Sequence, residues 1–278
     1  MSNPCRNDRN TSDREQMMTN LPGFDFFEKL AQIAADTSLP FFRHSLSIDN
    51  KDKEGFDPVT IADRKTEIAL REFIHQERPD DGILGEEFPT LKGLNDNVWV
   101  IDPIDGTRSF ITGMPIWGSL VGLMKSGKAV AGMMAQPFTR EIYYSCGKGA
   151  YLNTLLDGSH RKLAVSDCKT LDKATMFTTA PELFEGESKT RFEKLVKKVR
   201  LTRYSSDCYA FAMLACGFVD LVVETGLEPY DIMALIPIVE QAGGVIRQWN
   251  GGGAEEAGNI IAASTPELFD AASSILNG

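Results

Sequence analysis

The chain has 278 residues, 42% of them hydrophobic and 24% charged, and carries a formal net charge of −10. That is enough chain for one large or two moderate domains with a substantial core, and the acidic balance argues against a general binder of nucleic acid or of a membrane surface, which needs a basic face. A phosphorylated small molecule stays admissible, provided cations compensate its charge at the site.

No apolar run approaches the roughly 20 residues of a membrane-spanning helix. The opening stretch MSNPCRNDRNTSDREQMMTN is polar and lacks the apolar segment of a secretory signal. It reads as a disordered tail over residues 1–20, with Met17 or Met18 as an alternative start. The cysteines Cys5, Cys146, Cys168, Cys208 and Cys216 form no CxxC pair and are odd in number, which argues against a disulfide framework or a zinc site. The cytosol is the expected compartment.

Residues 24–44 place Phe27, Leu30, Ala31 and Ala34 at helical spacing, with Pro40 kinking or restarting the helix. VTIADRKTEIALREFIHQERPDD predicts a second helix. Ile61, Ile68, Phe73 and Ile74 supply much of its buried stripe, and Pro79 ends it. The period then becomes that of strands: GILGEE, VWVID, a hairpin in GSLVGLMKSGKAVAGMMAQP turning at Ser126 and Gly127, and EIYYSCGKGAYLN. Beyond about Leu155, strands and helices alternate. ATMFTTA, DLVVETG, GVIRQW and NIIAAS are strands; SKTRFEKLVKKV, CYAFAMLACGFV, YDIMALIPIVEQAGG and PELFDAASSIL are helices, the third with a glycine-rich stop. The GGG at Gly251 to Gly253 is a loop. The pattern predicts an α/β protein, with an α+β subdomain over residues 21–155 and an α/β subdomain over residues 156–278, sheets covered by helices in both.

Acids recur at the ends of these elements: Glu86 and Glu87 after GILG, Asp102 and Asp105 in WVIDPIDGTRSF, and Asp231 at the start of YDIMAL. Taken singly, DPxDG is an ordinary turn, EE a solvated face and YD a helix N-cap. Together they form a hard-oxygen donor set for Mg²⁺, which takes one or two carboxylates plus water and substrate phosphate. Two such ions, about 3.5–4 Å apart, clamp the attacking and leaving oxygens of a phosphoryl displacement. A bend at Pro103 would expose the Ile104 carbonyl as a further ligand, and a helix beginning at Gly106–Thr107 would turn backbone N–H groups toward a phosphate.

DPVTIADRKTE, ILGEEF, WVIDPIDGTRSF and PYDIMALIPIVEQAGG in this order resemble the inositol monophosphatase superfamily of Mg²⁺-dependent, lithium-sensitive phosphatases, over roughly residue 24 to the C-terminus. The resemblance implies a layered αβαβα sandwich of two sheets and helices, and a homodimer. It assigns metal ligation to Glu86, Asp102, the Ile104 carbonyl, Asp105 and Asp231, for two or three Mg²⁺ ions per site. It assigns catalysis to Glu86, Thr107 and Asp63, the last working with Thr107. Gly106, Thr107, Arg108, Asp207 and Glu224 are the expected substrate contacts.

Two departures from the inositol-type pattern, Arg108-Ser109-Phe110 after DPIDGT and Tyr230-Asp231 in place of Trp-Asp, look like the bacterial-type histidinol-phosphate phosphatase branch. That resemblance implies hydrolysis of L-histidinol phosphate in histidine biosynthesis. The alternatives are an inositol or broad sugar and polyol phosphatase, and a regulatory member that keeps the fold without using it. An ammonium and an imidazole on the substrate call for acids beyond the metal ligands. Asp207 is either one of these or a helix N-cap; Glu224 fits an amine or a polyol hydroxyl equally. Arg108 pairs with a site carboxylate, touches phosphate or sits on the surface. Tyr209 and Trp117 pack on imidazole or belong to the core. His44, His75 and His160 lie outside every motif.

Overall fold

The computed structural model describes residues 21–44, 48–50 and 58–278. The expectations for residues 1–20 and for Cys5 lie outside them. Sheet one is a meander of seven strands taken in sequence order: β3 (Gly82–Gly85), β4 (Asn97–Asp105), β5 (Gly118–Lys125), β6 (Lys128–Gln136), β7 (Glu141–Ser145), β8 (Ala150–Thr154) and β9 (Ser159–Lys162). Its first pair is parallel and the rest are antiparallel. A separate two-stranded ladder joins β1 (Ile48–Asn50) to β2 (Pro58–Thr60). Ser126 and Gly127, with φ 48° and 78°, make the two-residue turn between β5 and β6, the geometry that matches the twist of a tight hairpin.

Sheet two runs in the order β11 (Leu201–Tyr204), β10 (Thr175–Thr178), β12 (Leu221–Leu227), β14 (Gly258–Ala263), β13 (Val245–Gln248). β10 is parallel to both of its neighbours, and β14 is antiparallel to both of its own.

Alternation along the strands builds the layers. Trp99 and Ile101 of β4 face α1 (Phe24–Ser38) and α2 (Ile61–Glu77), packing with Phe27, Leu30, Leu70 and Ile74. Val100 between them faces the opposite way, toward α5 (Asp207–Ala215) and α7 (Leu235–Gln241). Val222, Ile260 and Ala262 of sheet two close that central layer from its other side. Leu221, Val223, Ile261 and Ala263 face outward onto α4 (Gly186–Val196) and α8 (Pro266–Asn277). The result is helix, sheet, helix, sheet, helix, the expected αβαβα sandwich.

Several sequence expectations change. Ile61 and Ile68 are 48% and 43% exposed, while the buried face of α2 carries Asp63, Thr66 and Glu67 beside Leu70 and Ile74. Hydrophobicity alone could not find that face, because half of it is polar: Asp63 meets Thr107, Thr66 bonds Thr37 of α1, and Glu67 takes the Glu87 N–H. The helix after Phe24 ends at Ser38, so Pro40 follows it instead of kinking it. YDIMALIPIVEQAGG forms two helices, α6 (Pro229–Ile232) and α7, broken at Met233–Ala234. There the chain presses on sheet one: a Cβ on Gly132 would sit 2.1 Å from the Ala234 carbonyl oxygen, and one on its cross-strand partner Gly122 would sit 2.8 Å from the Ala234 nitrogen. These glycines let α6 approach the end of β4. The short strands β9 and β11 carried no apolar alternation and were not expected.

Candidate active site

In a regular strand, residues three apart point to opposite faces. Between the pairs Asp102↔Leu120 and Asp105↔Gly118, however, β4 advances three residues while β5 advances two. This is a β-bulge at Pro103–Ile104, where proline's missing donor is tolerated. Ser119 Oγ donates to the Pro103 carbonyl at 2.7 Å, and the Ile104 N–H donates to Asp102 Oδ1 at 3.0 Å. The extra residue brings both aspartates to one side.

Asp231 arrives from α6, where its Oδ2 accepts the Glu228 N–H at 2.8 Å in a capping box. Its sequence neighbourhood suggested an N-cap; the cap is Glu228, and Asp231 stands one turn inside. Carboxylate oxygens of Asp102, Asp105 and Asp231 lie within 4.8 Å of one another. Burial raises the Asp102 carboxyl well above the ordinary range, and the charges of Glu86, Asp105 and Asp231 push it further. Asp105 is raised in the same way by burial and by Asp207 and Asp231, opposed by the Cys208 N–H, which donates to Asp105 Oδ2 at 2.6 Å. Glu86 leaves β3 beside β4, its N–H on the Ile101 carbonyl at 3.2 Å. Hard oxygen donors that repel one another at such range fit a divalent cation such as Mg²⁺.

Gly106 stands left-handed at φ 82° and caps the five-residue helix α3 (Thr107–Ile111). Thr107 Oγ1 lies 3.1 Å from the Ile104 carbonyl and 3.5 Å from Asp63 Oδ1. Asp63 is 1% exposed. Its other oxygen accepts the Thr60 N–H and hydroxyl at 2.8 and 2.7 Å. Burial raises the Asp63 carboxyl, against the Thr60 bonds that lower it. Thr60 was missed, although T-x-x-D ahead of an apolar run is a legible capping signal.

Asp207 is the first residue of α5, at φ 42°, and it caps nothing. Its Oδ2 accepts the Ser109 hydroxyl at 2.6 Å, and a Cβ on Gly106 would lie 2.8 Å from the same oxygen. The N-cap alternative is therefore overturned: the left-handed backbone swings the side chain across to Gly106 and Ser109 at the start of α3. Burial raises the Asp207 carboxyl, while Ser109 and the Arg108 charge lower it. Arg108 itself is exposed. Glu224, 2% exposed, accepts the Thr179 N–H and hydroxyl at 2.8 and 3.1 Å; burial pushes it up to about 8.

Ser109 and the Cys208 amide had no signal in the sequence, since their partners are about a hundred residues away. Trp117 is core, packed among Phe42, Ile104 and Phe110, and Tyr209 donates to Glu141 Oε2 at 2.7 Å. His44, His75 and His160 are exposed, the last stacked on Tyr151. No helix among the described residues is long and apolar enough to cross a membrane.

Residues 22–277 match the model of the inositol monophosphatase family. The chain is 41% identical over 224 residues to the bifunctional phosphatase IMPL2, chloroplastic, of Arabidopsis thaliana, covering 80% of this chain and 63% of that protein. It is 34% identical to a histidinol-phosphatase of Chlorobaculum parvum, over 83% of this chain and 87% of that protein. Among solved structures, an inositol monophosphatase from Zymomonas mobilis is similar with a TM-score of 0.80 at 40% identity, covering 91% of this chain and 97% of the other.

Proposed function

The chain belongs to the inositol monophosphatase family, and from that premise we propose that it is a Mg²⁺-dependent phosphomonoesterase acting on L-histidinol phosphate. Glu86, Asp102, the Ile104 carbonyl, Asp105 and Asp231 would hold the ions. Bound Mg²⁺ supplies charge neutralisation at the phosphate oxygens and lowers the pKa of water. Thr107 Oγ1 orients the attacking water and accepts its proton while passing its own toward Asp63 Oδ1. Asp63, raised by burial and held by Thr60, is the stronger base for it. The backbone N–H groups of Gly106 and Thr107 would take the phosphate. Residues 21–155 contribute most of these groups and residues 156–278 complete the site.

The observation that carries the substrate assignment is the Asp207 carboxylate, set against Gly106 and Ser109 at the edge of the proposed phosphate cradle. It is an acid beyond the metal set, suited to a cationic alcohol. The similarity to a histidinol-phosphatase agrees with it. A second enzyme reading, an inositol or polyol phosphatase, is favoured by the likeness to the Zymomonas mobilis inositol monophosphatase and by the ambiguity of Glu224.

Phosphate release from histidinol phosphate, measured beside inositol and fructose esters with and without Mg²⁺, tests both. Turnover of an inositol phosphate equal to or above that of histidinol phosphate reverses the assignment. Asp207→Asn should raise KM for histidinol phosphate roughly ten-fold, the equivalent of one lost charge contact, and leave a polyol phosphate nearly unaffected. A homodimer in the cytosol and inhibition by lithium accompany this proposal.

A further inference from the structure

Glu67 is a fully buried carboxylate, 0% exposed, that the proposed chemistry does not use. It lies on α2 one turn beyond Asp63, on the same face. Its Oε1 pairs with Arg71 Nε at 2.6 Å. The pair does not simply close on itself. Glu67 accepts the N–H of Glu87 at 2.7 Å and of Phe88 at 3.3 Å, and Arg71 donates to the carbonyls of Phe88 at 2.9 Å and Pro89 at 3.1 Å.

These backbone groups follow directly on Glu86. β3 is the edge strand of its sheet, and its last ladder bond to β4 is the Glu86 N–H. Between that point and Leu91, which bridges back to Ile83 through two 2.8 Å backbone bonds, the Glu67–Arg71 pair takes the place of a strand partner, satisfying donors and acceptors of Glu87, Phe88 and Pro89 in turn. The carboxylate reaches the backbone only because residue 85 is glycine: a Cβ there would lie 2.1 Å from Glu67 Oε1. A side chain on the residue before Glu86 has been given up for this approach.

We propose that Glu67, with Arg71, is a positioning residue that holds Glu86 at the Asp102 carboxylate and thereby sets the cation affinity of the site. This rests on the assignment of Glu86, Asp102 and Asp105 as cation ligands. α2 then orients the site at two points, Thr107 through Asp63 and Glu86 through Glu67.

The test is Mn²⁺ affinity, measured by titration calorimetry well below the unfolding temperature of the metal-free protein, so that only folded molecules are compared. Glu67→Gln keeps the shape and removes the charge. It should weaken Mn²⁺ binding by about 10–100-fold, the effect of losing a group that orients a ligand. In a Glu86→Gln background the same substitution should change affinity by about two-fold at most. Affinity within about two-fold of the parent, with only the unfolding temperature lowered, makes the pair structural and overturns the proposal. So does an equal loss in both backgrounds, since Glu67 would then not act through Glu86.

Should Glu67→Gln fail to fold, Arg71→Lys decides. Lysine keeps the charge but cannot span both carbonyls, so amide exchange at Glu87 and Phe88 should accelerate and Mn²⁺ affinity fall; unchanged values overturn the proposal. A parent protein whose Mn²⁺ binding is indifferent to Asp102→Asn removes the ligand assignment itself, a different failure.

Discussion

The two ends of β4 bury carboxylates in opposite ways. Beside its start, Asp81 accepts hydrogen bonds from Asn95 Nδ2, Asn97 Nδ2 and Trp99 Nε1 at 2.8, 3.0 and 2.9 Å. At its end, Asp102 and Asp105 meet Asp231 within 4.8 Å; Asp105 and Asp231 raise the affinity of Asp102 for a proton, and Asp231 raises that of Asp105. A buried charge is costly unless it is matched by donors or by opposite charge. Neutral side chains provide the match at Asp81, and the arrangement is complete within the protein. At the other end the match has to be a cation or a proton. The same strand thus carries a structural acid and a reactive set, distinguished by what surrounds them.

Breaking the reactive end should have the largest effect. Asp102→Asn should lower phosphatase activity by on the order of 10³-fold or more, as expected when transition-state charge loses its stabilisation. It should also raise the unfolding temperature of the metal-free protein by relieving repulsion, and abolish the further rise on adding Mg²⁺. Phosphate release reads the first, and thermal unfolding with Mg²⁺ and with a chelator reads the other two; a metal-free protein destabilised by the substitution would contradict the comparison.

A smaller effect concerns pH. The folded-state values of Asp102, Asp105 and Glu224 lie above their unfolded values of 3.8, 3.8 and 4.5. The stability they contribute is therefore full below those unfolded values and is lost as pH rises, through about 8 for Glu224. Denaturant unfolding in chelator should show stability falling from pH 5 to 9, and saturating Mg²⁺ should flatten the fall, adding about 2.7 kcal/mol at a hundred times its dissociation constant. A flat profile in chelator would show that the acids are matched without the ion.

The smallest effect on catalysis belongs to the structural end. Asp81→Asn leaves one of its donors facing another donor, so stability should fall by about 1–3 kcal/mol, while kcat and KM of the folded fraction stay as they were. Urea unfolding beside steady-state kinetics separates the two. A kinetic defect would mean that the ends of β4 are coupled.

Much of this was legible beforehand. Short apolar runs bounded by turn residues placed β4 to β8, of which β4 to β6 are buried almost throughout between helix layers, and helical spacing placed α1, because a helix with one wet and one dry face prints that face in the sequence. The burial of Asp63 and Glu67 was not legible. Polar residues on a buried helix face look like a solvated stripe until the loop they bind is in place. The same holds for Asp207, whose partner Ser109 lies 98 positions away.

By itself the sequence determined the identity and order of the acids, the apolar strand that carries two of them, and the family to which the chain belongs. Only the tertiary structure decided that Asp102 and Asp105 share a side, through a bulge whose register depends on β5, and that α2, α5 and α6 each deliver a group to the same point. Local propensity acts over a few residues; the meeting of charges from distant segments is settled by packing, which alone supplies the burial that gives those charges their chemistry.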